Sequence, residues 1–538
     1  MNKFLSPVQM IFLSAGLIFS QMLFVMTEEA DTYFVMNLGR YVLEHGFPHV
    51  DPFTIHENLR LVAQQWLSGV LFWEAYKNFG IAGFLIVDYL FGAAAIFIYW
   101  RLCLFVSGGN KILSFAISFV VGFLISVMIV PRPHILSATF LLIEVFFLEK
   151  FTRTENAKFL IPLPLVSVAL INFHAAMWLM SLVVCLPFLF VKNFRHIKFL
   201  LAAMAGIFFC GLINPYGTDA MTYVFRSYGV DLINSNISEM FTPSAQNLRG
   251  KFFYATEALM IFSLARFKVP WRYIFLSGGI IFMALMHSRN LLLFYLLATF
   301  PLAYVWRDFN FKIFGRRSLT ILFFLFVAAN TVMIVTLLQE SFEKISLPLE
   351  ILFFAAILFV LYNLLILKAE GSILHPTILP RKILSLFTSL IVISGIFVFT
   401  LADTKKNPPE PFTDAIKFLL RTERPENISL YASQGYGGLA GTFGIKYYID
   451  SRSEVFLDAN NGRKNIFKEY LDFKNGKINY KDFFARYKFT HIIITNEQPF
   501  IFDELSADKN FRVIYESEYV KDYDVIRCKI FVPKEFYR

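Results

Sequence analysis

Thr27-Glu28-Glu29-Ala30-Asp31 places three carboxylates within about one helical turn, directly after an apolar stretch. In a helix that begins there, Glu28 and Asp31 share a face. A carboxylate in that place can take the proton of an incoming hydroxyl. Acids at a helix start also offset the dipole, so a capping role accounts for the same residues. Other reactive types recur further on: His49 and Asp51, then Arg132 and His134 in PRPH, Asn172 and His174 in NFH, Asn214 and Tyr216 in NPYG. Glu239 follows in SEM, and His287 and Arg289 in HSRN. Acids, imidazoles and guanidiniums together are what transfer away from a phosphate leaving group requires: a base for the acceptor and cations for the departing phosphate. On that chemistry Glu28, Glu29 and Asp31 are the candidate catalytic acids. His49, Asp51, Arg132, His134, His174, Tyr216, Glu239, His287 and Arg289 are candidate substrate ligands.

Each group has a plainer reading. Arg132 and Arg289 also suit lipid phosphates at an interface, and the three later histidines suit polar contacts between helices. His49 and Asp51 suit a turn before Pro52. Asp88, Glu144 and Glu257 fall inside apolar stretches, where hydrogen bonds between helices are the default. Histidine and carboxylate are ligand types for a divalent metal as well, but no close pattern such as HExxH occurs, so no metal site or cofactor is assigned.

The elements that must position these groups are those of a membrane protein. Of 538 residues, 57% are hydrophobic and 17% charged, with a mean hydropathy of +0.56. Soluble proteins carry about 25% charged residues. Phenylalanine occurs 65 times, more often than the 40 acids together. A bilayer crossing takes roughly 20 apolar residues. Stretches of that kind are 8–26, 81–105, 112–130, 134–150, 158–173, 176–191, 198–213, 252–267, 272–287, 290–305, 319–338, 349–367 and 382–401. They predict about 13 transmembrane helices.

Lysine and arginine concentrate in alternate loops, among them Lys150, Arg153 and Lys158, then Lys192, Arg195 and Lys198, then Arg307, Lys312, Arg316 and Arg317. That bias puts the N-terminus in the cytoplasm and, after an odd number of spans, the C-terminus outside. Gln21 to Thr27 lacks a small-residue cleavage site, so the first span reads as a retained anchor. The net charge of +10 is thus topological, and with no basic stripe in a soluble segment nucleic acid is not an expected partner. Cys103, Cys185, Cys210 and Cys528 form no CxxC pair and imply neither a disulfide framework nor a thiolate metal site.

Two regions lie outside the spans. The outer loop 27–80, part of a transmembrane region 1–402, holds a helix-like stretch from Ala30 to His45, a turn at Gly46-Phe47-Pro48, and an amphipathic stretch from Gln64 to Asn78 suited to an interface. Residues 403–538 read as a small soluble extracytoplasmic α/β domain after the stiff linker Asn407-Pro408-Pro409-Glu410-Pro411. Its expected order is a helix (Phe412–Arg421), an apolar run (Ile428–Ala432), a glycine-rich turn (Gly435–Gly441) and a strand (Tyr447–Asp450). A helix (Asn465–Phe473), a strand (His491–Thr495) and two closing strands (Arg512–Glu516, Tyr523–Val532) follow. Gly435–Gly441 lacks the lysine-serine ending of a phosphate loop and reads as a turn that opens a helix.

An acid soon after the first span, in a long outer loop with interfacial helices, resembles the GT-C superfamily of polytopic glycosyltransferases, which includes protein mannosyltransferases, aminoarabinose transferases and oligosaccharyltransferases. Asp31 to Gly39, Gly46 to Phe53, Gln65-Trp66-Leu67, Pro131-Arg132-Pro133, Asn172-Phe173-His174, Asn214 to Gly217, Arg289-Asn290 and Tyr448 to Arg452 carry the likeness over nearly the full chain. The resemblance implies inverting transfer of a sugar from a polyprenyl-phosphate donor to an extracytoplasmic acceptor (glycan, lipid or protein) in a bacterial inner membrane, with Asp31 as base or acceptor-positioning acid. Two other classes fit parts of the pattern. A non-catalytic scaffold of an envelope polysaccharide pathway would keep the fold without turnover. A transporter or flippase would show repeats and polar groups at mid-bilayer rather than at one face.

Overall fold

The computed structural model describes residues 30–126, 128–190, 194–226, 229–308, 411–462, 464–521 and 524–536. Glu28, Glu29 and the apolar stretches 8–26, 319–338, 349–367 and 382–401 lie outside the described residues. Between residues 81 and 305 each apolar stretch coincides with helix: α3 (Ile81–Val106), α4 (Lys111–Ser126), α5 (His134–Thr154), α6 (Pro162–Phe173), α7 (Ala175–Cys185), α8 (Phe194–Cys210), α9 (Leu248–Arg266), α10 (Trp271–Met286) and the irregular α11 (Ser288–Val305). Among the described residues, Ile86–Val106 and Ser288–Val305 are long and apolar enough to cross a membrane by length and composition. Large apolar side chains, including Phe208, Phe209, Phe262 and Phe282, remain exposed on the outer faces of this helical body. Inside it, buried Glu144 on α5 accepts a hydrogen bond from the Cys185 thiol on α7 at 3.3 Å, the helix-to-helix contact expected of an acid in an apolar stretch.

Preceding α3, helices α1 (Ala30–His45) and α2 (Trp66–Phe79) pack face to face. Their crossing needs two glycines: a Cβ on Gly39 would lie 1.9 Å from the Gly69 carbonyl carbon, and one on Gly69 would lie 2.3 Å from the Val35 carbonyl oxygen. No side chain fits there, so backbone meets backbone.

Residues 411–536 form a five-stranded sheet of order β2-β1-β3-β5-β4, built from β1 (Ser429–Tyr431), β2 (Lys446–Tyr447), β3 (His491–Thr495), β4 (Phe511–Lys521) and β5 (Asp524–Pro533). β1 is parallel to β2 and β3, while β5 is antiparallel to both β3 and β4. β3 is buried along its whole length, as a central strand of sequence HIIIT should be. Flanking helices are α12 (Pro411–Leu419), α13 (Gln434–Thr442), α14 (Ile466–Lys474), α15 (Tyr480–Tyr487) and α16 (Pro499–Ala507).

The glycine-rich turn expected to open a helix at Gly435–Gly441 lies wholly within the helix α13. Its glycines serve packing. A Cβ on Gly437 would strike the Ile449 carbonyl oxygen at 2.0 Å, and one on Gly441 would meet Asn37 Nδ2 at 3.0 Å. Helix α1 lies against this smooth face: Asn37 Nδ2 donates to the Gly438 carbonyl at 2.7 Å, and Arg40 donates to the Gly441 and Thr442 carbonyls at 3.2 and 3.1 Å. The loop after α1 then extends the sheet. Ile55 N–H donates to the Tyr447 carbonyl at 3.0 Å and Tyr447 N–H to the Phe53 carbonyl at 3.4 Å, so Thr54 pairs in parallel with β2. Helix α1 is thereby held between the helical body and the C-terminal sheet, with Tyr33, Val35 and Met36 packed among Phe412, Leu430 and Ile530.

Candidate functional site

Asp31 opens α1, and its neighbour Thr32 donates from Oγ1 to the Pro131 carbonyl at 2.8 Å. That bond ties the start of α1 to the Pro131-Arg132-Pro133 turn, whose two prolines fix the backbone entering α5. Arg132 consequently points its fork between two acids. One terminal nitrogen, Nη2, lies 3.3 Å from Asp31 Oδ2, and the other, Nη1, donates to Glu239 Oε1 at 2.5 Å. Side-chain exposure rises from 14% at Arg132 through 27% at Asp31 to 40% at Glu239, so the trio opens outward on the Glu239 side.

Glu239 occupies a one-turn 3-10 helix, Ser238–Met240, stitched to the start of α11. His287 Nδ1 is 2.7 Å from the Met240 carbonyl, Ser288 N–H donates to the Phe241 carbonyl at 2.9 Å, and Ser288 Oγ donates to the Glu239 carbonyl at 3.1 Å. The segment Asn172-Phe173-His174 breaks the helix between α6 and α7 and feeds the same region. Asn172 accepts from Trp66 Nε1 at 2.9 Å and donates to the Ile213 carbonyl at 2.8 Å, while His174 Nδ1 pairs with Ser137 Oγ at 2.8 Å. The His174 and His134 rings meet edge to face at 5.2 Å. A narrow cleft of about 10 Å³, room for one water molecule, is lined by His134, Ser137, Met177, Arg289, Asn290, Leu292 and Leu293.

Asp31, Arg132, Glu239, His134, His174, His287 and Arg289 are therefore brought into one neighbourhood. His49 and Tyr216 meet elsewhere: their rings lie 5.2 Å apart, and the Tyr216 hydroxyl donates to the Pro48 carbonyl at 2.9 Å. The turn that carries Tyr216 is held by Asn214, which accepts from Tyr216 N–H and donates to the Gly211 and Gly217 carbonyls.

Asp51 is engaged on both oxygens. Oδ1 accepts from Arg452 Nη1 at 2.6 Å, and Oδ2 accepts from Thr54 N–H and Oγ1 at 3.0 and 2.8 Å. Arg452 is also gripped by Asp450, which accepts from Nη2 at 2.6 Å, and Asp450 takes the Tyr447 hydroxyl at 2.7 Å. Burial pulls the Arg452 pKa down, but Asp450 and Asp51 outweigh it and lift the guanidinium well above its ordinary value. Arg452, which comes from the sheet side, escapes a reading of motifs because no spacing links it to Asp51, 401 positions earlier. The only trace was the Tyr448 to Arg452 likeness.

Among the described residues no three His, Cys, Asp or Glu side chains gather to hold a metal ion.

No protein-family model matches the chain, and no curated protein sequence does either. Solved structures do. ArnT from Cupriavidus metallidurans bound to undecaprenyl phosphate aligns with a TM-score of 0.51 at 10% identity, covering 96% of this chain and 97% of that one. The same protein in the apo state aligns with a TM-score of 0.51 at 12% identity over the same shares. The chain has the GT-C fold. At such low identity the likeness speaks for the GT-C architecture over nearly its full length, and the chemistry has to be argued from the residues. Within this fold the Asp31–Arg132–Glu239 trio and the His134–Arg289 cleft are contributed by α1, the starts of α5 and α11, and the loops between them.

Proposed function

We propose that this chain is a multi-pass membrane glycosyltransferase that moves a sugar, with inversion, from a polyprenyl-phosphate donor to an extracytoplasmic acceptor. The observation that carries the reading is the single guanidinium of Arg132 bridging Asp31 and Glu239 beside a cleft lined by Arg289 and His134. It is supported by the GT-C fold, by the apolar composition, and by the alternation of basic loops, which favours a cytoplasmic N-terminus and an outward-facing C-terminal α/β domain (403–538) after a transmembrane region (1–402) of about 13 helices. The undecaprenyl phosphate carried by the ArnT structure fits the donor class.

In the reaction, the acceptor hydroxyl gives its proton to Asp31 as its oxygen attacks the anomeric carbon. The bond from that carbon to the phosphate oxygen breaks, and polyprenyl phosphate leaves. Arg132 and Arg289 offset the charge that gathers on the leaving phosphate. Arg132 also holds Asp31 in one rotamer, so the acid is in line before the acceptor arrives. His49 and Asp51 belong to the loop that orients α1.

The test uses full-length wild type and Asp31→Asn in liposomes with a panel of undecaprenyl-phosphate sugars, reading release of undecaprenyl phosphate. Release by wild type and a fall of at least tenfold in the variant is expected. Equal release by both removes Asp31 from its role. Silence from both, with intact donors and a panel of hydroxyl acceptors supplied, sinks the transferase reading in favour of the scaffold.

A further inference from the structure

The C-terminal sheet has a switch in its winding. Strands β1, β2 and β3 are parallel, and β1 lies between the other two. The chain leaves β1 through α13 and leaves β3 through α16. Those two helices cover opposite faces. Leu439 and Ala440 of α13 pack with Leu430 and Ile493, whereas Ile501, Phe502 and Leu505 of α16 pack with Tyr431, Ile492 and Ile494. The loops after β1 and β3 therefore part, which leaves a crevice outside the carboxyl ends of the two strands. In open α/β sheets that switch point is where ligands lie.

Three segments line it. Gln434, the first residue of α13, donates from its backbone N–H to the Tyr470 hydroxyl of α14 at 3.2 Å and from Nε2 to Ser453 Oγ at 2.8 Å. Gln498, on the loop after β3, hydrogen-bonds the same hydroxyl with its side chain. Both loops thus meet on one phenol, and the Gln498 amide is turned toward the start of α13. Tyr470 and Gln498 are 3% and 9% exposed. Gln498 Oε1 is buried there with no hydrogen-bond partner among the described residues, a costly state unless a donor arrives. The Tyr470 oxygen receives two N–H groups, so its own hydrogen is left to give. The start of α13 is open as well. Ser433 makes no side-chain cap, and a Cβ on the exposed Gly435 would meet nothing within 4 Å. The first N–H groups of a helix have no partner inside it.

We propose that this crevice binds one uncharged sugar residue, free or at the end of a glycan chain, held by Gln498 Oε1, the Tyr470 hydroxyl and the open first turn of α13. The lining selects that class. A bare acceptor beside bare donors suits a hydroxyl, which gives and accepts in one group. A phosphate or carboxylate brings no hydrogen to Gln498 Oε1, and none of Gln434, Gly435, Ser453, Tyr470 and Gln498 is a cation. Arg452, beside Ser453, is spent on Asp51 and Asp450. The crevice shares no residue with the Asp31–Arg132–Glu239 trio or the His134–Arg289 cleft, and the inference stands apart from the transferase reading.

The experiment uses the full-length protein in lipid nanodiscs, with no glycoside detergent. Saturation-transfer-difference NMR reads the binding of methyl glycosides of glucose, galactose, mannose and N-acetylglucosamine, and of cellobiose, lactose, mannobiose and chitobiose. At least one should bind. Tighter binding of a disaccharide than of its methyl glycoside assigns the crevice to a glycan chain, and equal binding to a free sugar. Gly435→Val fills the crevice without striking the protein, and Gln498→Leu removes the bare acceptor at similar volume. Each should weaken the bound sugar roughly tenfold with no fall in melting temperature, while Asp31→Asn binds as wild type does. No binding by any sugar overturns the inference. So does a sugar held equally by wild type, Gly435→Val and Gln498→Leu, which then sits elsewhere. Displacement by an equal concentration of inorganic phosphate overturns the uncharged class.

Discussion

Arg452 and Asp51, 401 positions apart in the chain, form a buried ion pair at 2.6 Å, with side chains 4% and 0% exposed. The pair joins the loop after α1 to the C-terminal sheet at the point where Thr54 also pairs with β2. The two parts of the chain that flank the candidate site are thus fastened by charge, by strand pairing and by the α1–α13 contact at once. Such a pair is weak evidence for net stability, because both ions were taken out of water, but removing one partner strands the other.

Arg452→Ala should accordingly cost about 3–5 kcal/mol, since Asp51 and Asp450 would be left buried without their cation. Thermal unfolding of the purified protein checks this, and trypsin should cut the C-terminal region faster in the variant. Arg452→Lys should recover only part of the loss, because an ammonium cannot reproduce the fork that meets two carboxylates. An unchanged melting curve for Arg452→Ala would contradict the pair's role as fastener.

Gly39→Ala should damage the site without touching it. The new methyl would sit 1.9 Å from the Gly69 carbonyl carbon, so α1 must shift and carry Asp31 with it. Overpacking of this kind costs typically about 1–3 kcal/mol. The expected outcome is a lower melting temperature together with reduced donor turnover. Gly441→Ala, whose methyl would meet the Tyr447 ring at 2.9 Å and the Asn37 side chain at 3.0 Å, should be milder on both counts, because side chains can give by a few tenths of an ångström where a backbone cannot.

His56 gives the pH dependence a definite sign. Burial is the largest influence and lowers its pKa below the ordinary 6.5, while the hydrogen bond to the Tyr448 carbonyl and the acids Asp51 and Glu469 pull the other way and Lys464 adds to the fall. The unfolded chain takes up a proton near 6.5 that the folded chain refuses, so acidification below that pH costs stability until the folded pKa is passed. His56→Gln loses packing at pH 8 but lacks this penalty. The gap in melting temperature between wild type and variant should therefore narrow from pH 8 to pH 5, and a widening gap would contradict the assignment.

Arg132 and Arg289 should separate in their effects. Arg289→Ala removes a cation from the cleft and should weaken undecaprenyl phosphate binding by about 1.5–3 kcal/mol, roughly tenfold to a hundredfold. Native mass spectrometry or quenching of intrinsic tryptophan fluorescence reads this directly. Arg132→Lys keeps a charge but not the fork between Asp31 and Glu239, so turnover should fall more than binding. Equal losses in both measurements would make Arg132 a phosphate ligand alone.

Much of this architecture could be read from residue order. The apolar stretches between 81 and 305 are helices because a backbone surrounded by apolar side chains finds no partner but itself. His491–Thr495 is a strand for a similar reason, its β-branched run being too short for a helix and too apolar for a surface. The polar groups at Asp31, Arg132, His134, His174, Glu239, His287 and Arg289 could be singled out because each interrupts or borders an apolar run.

What could not be read was how those groups pair. Nothing in the sequence links Arg132 to both Asp31 and Glu239, because an ion pair has no spacing rule once the partners lie on different helices. Gly435–Gly441 looked like a turn because glycine favours turns locally; it is a helix because Asn37, Arg40 and Tyr447 close on it, and only the assembled fold supplies them. Asp51 could be singled out by its type, but its pairing with Arg452, 401 residues away, could not. Local chemistry fixes which segments are helix, strand or reactive, since those preferences act within a few residues. Which acid meets which cation is decided by packing over hundreds of residues, where hydrophobic burial sets the geometry and the charges take the places that remain.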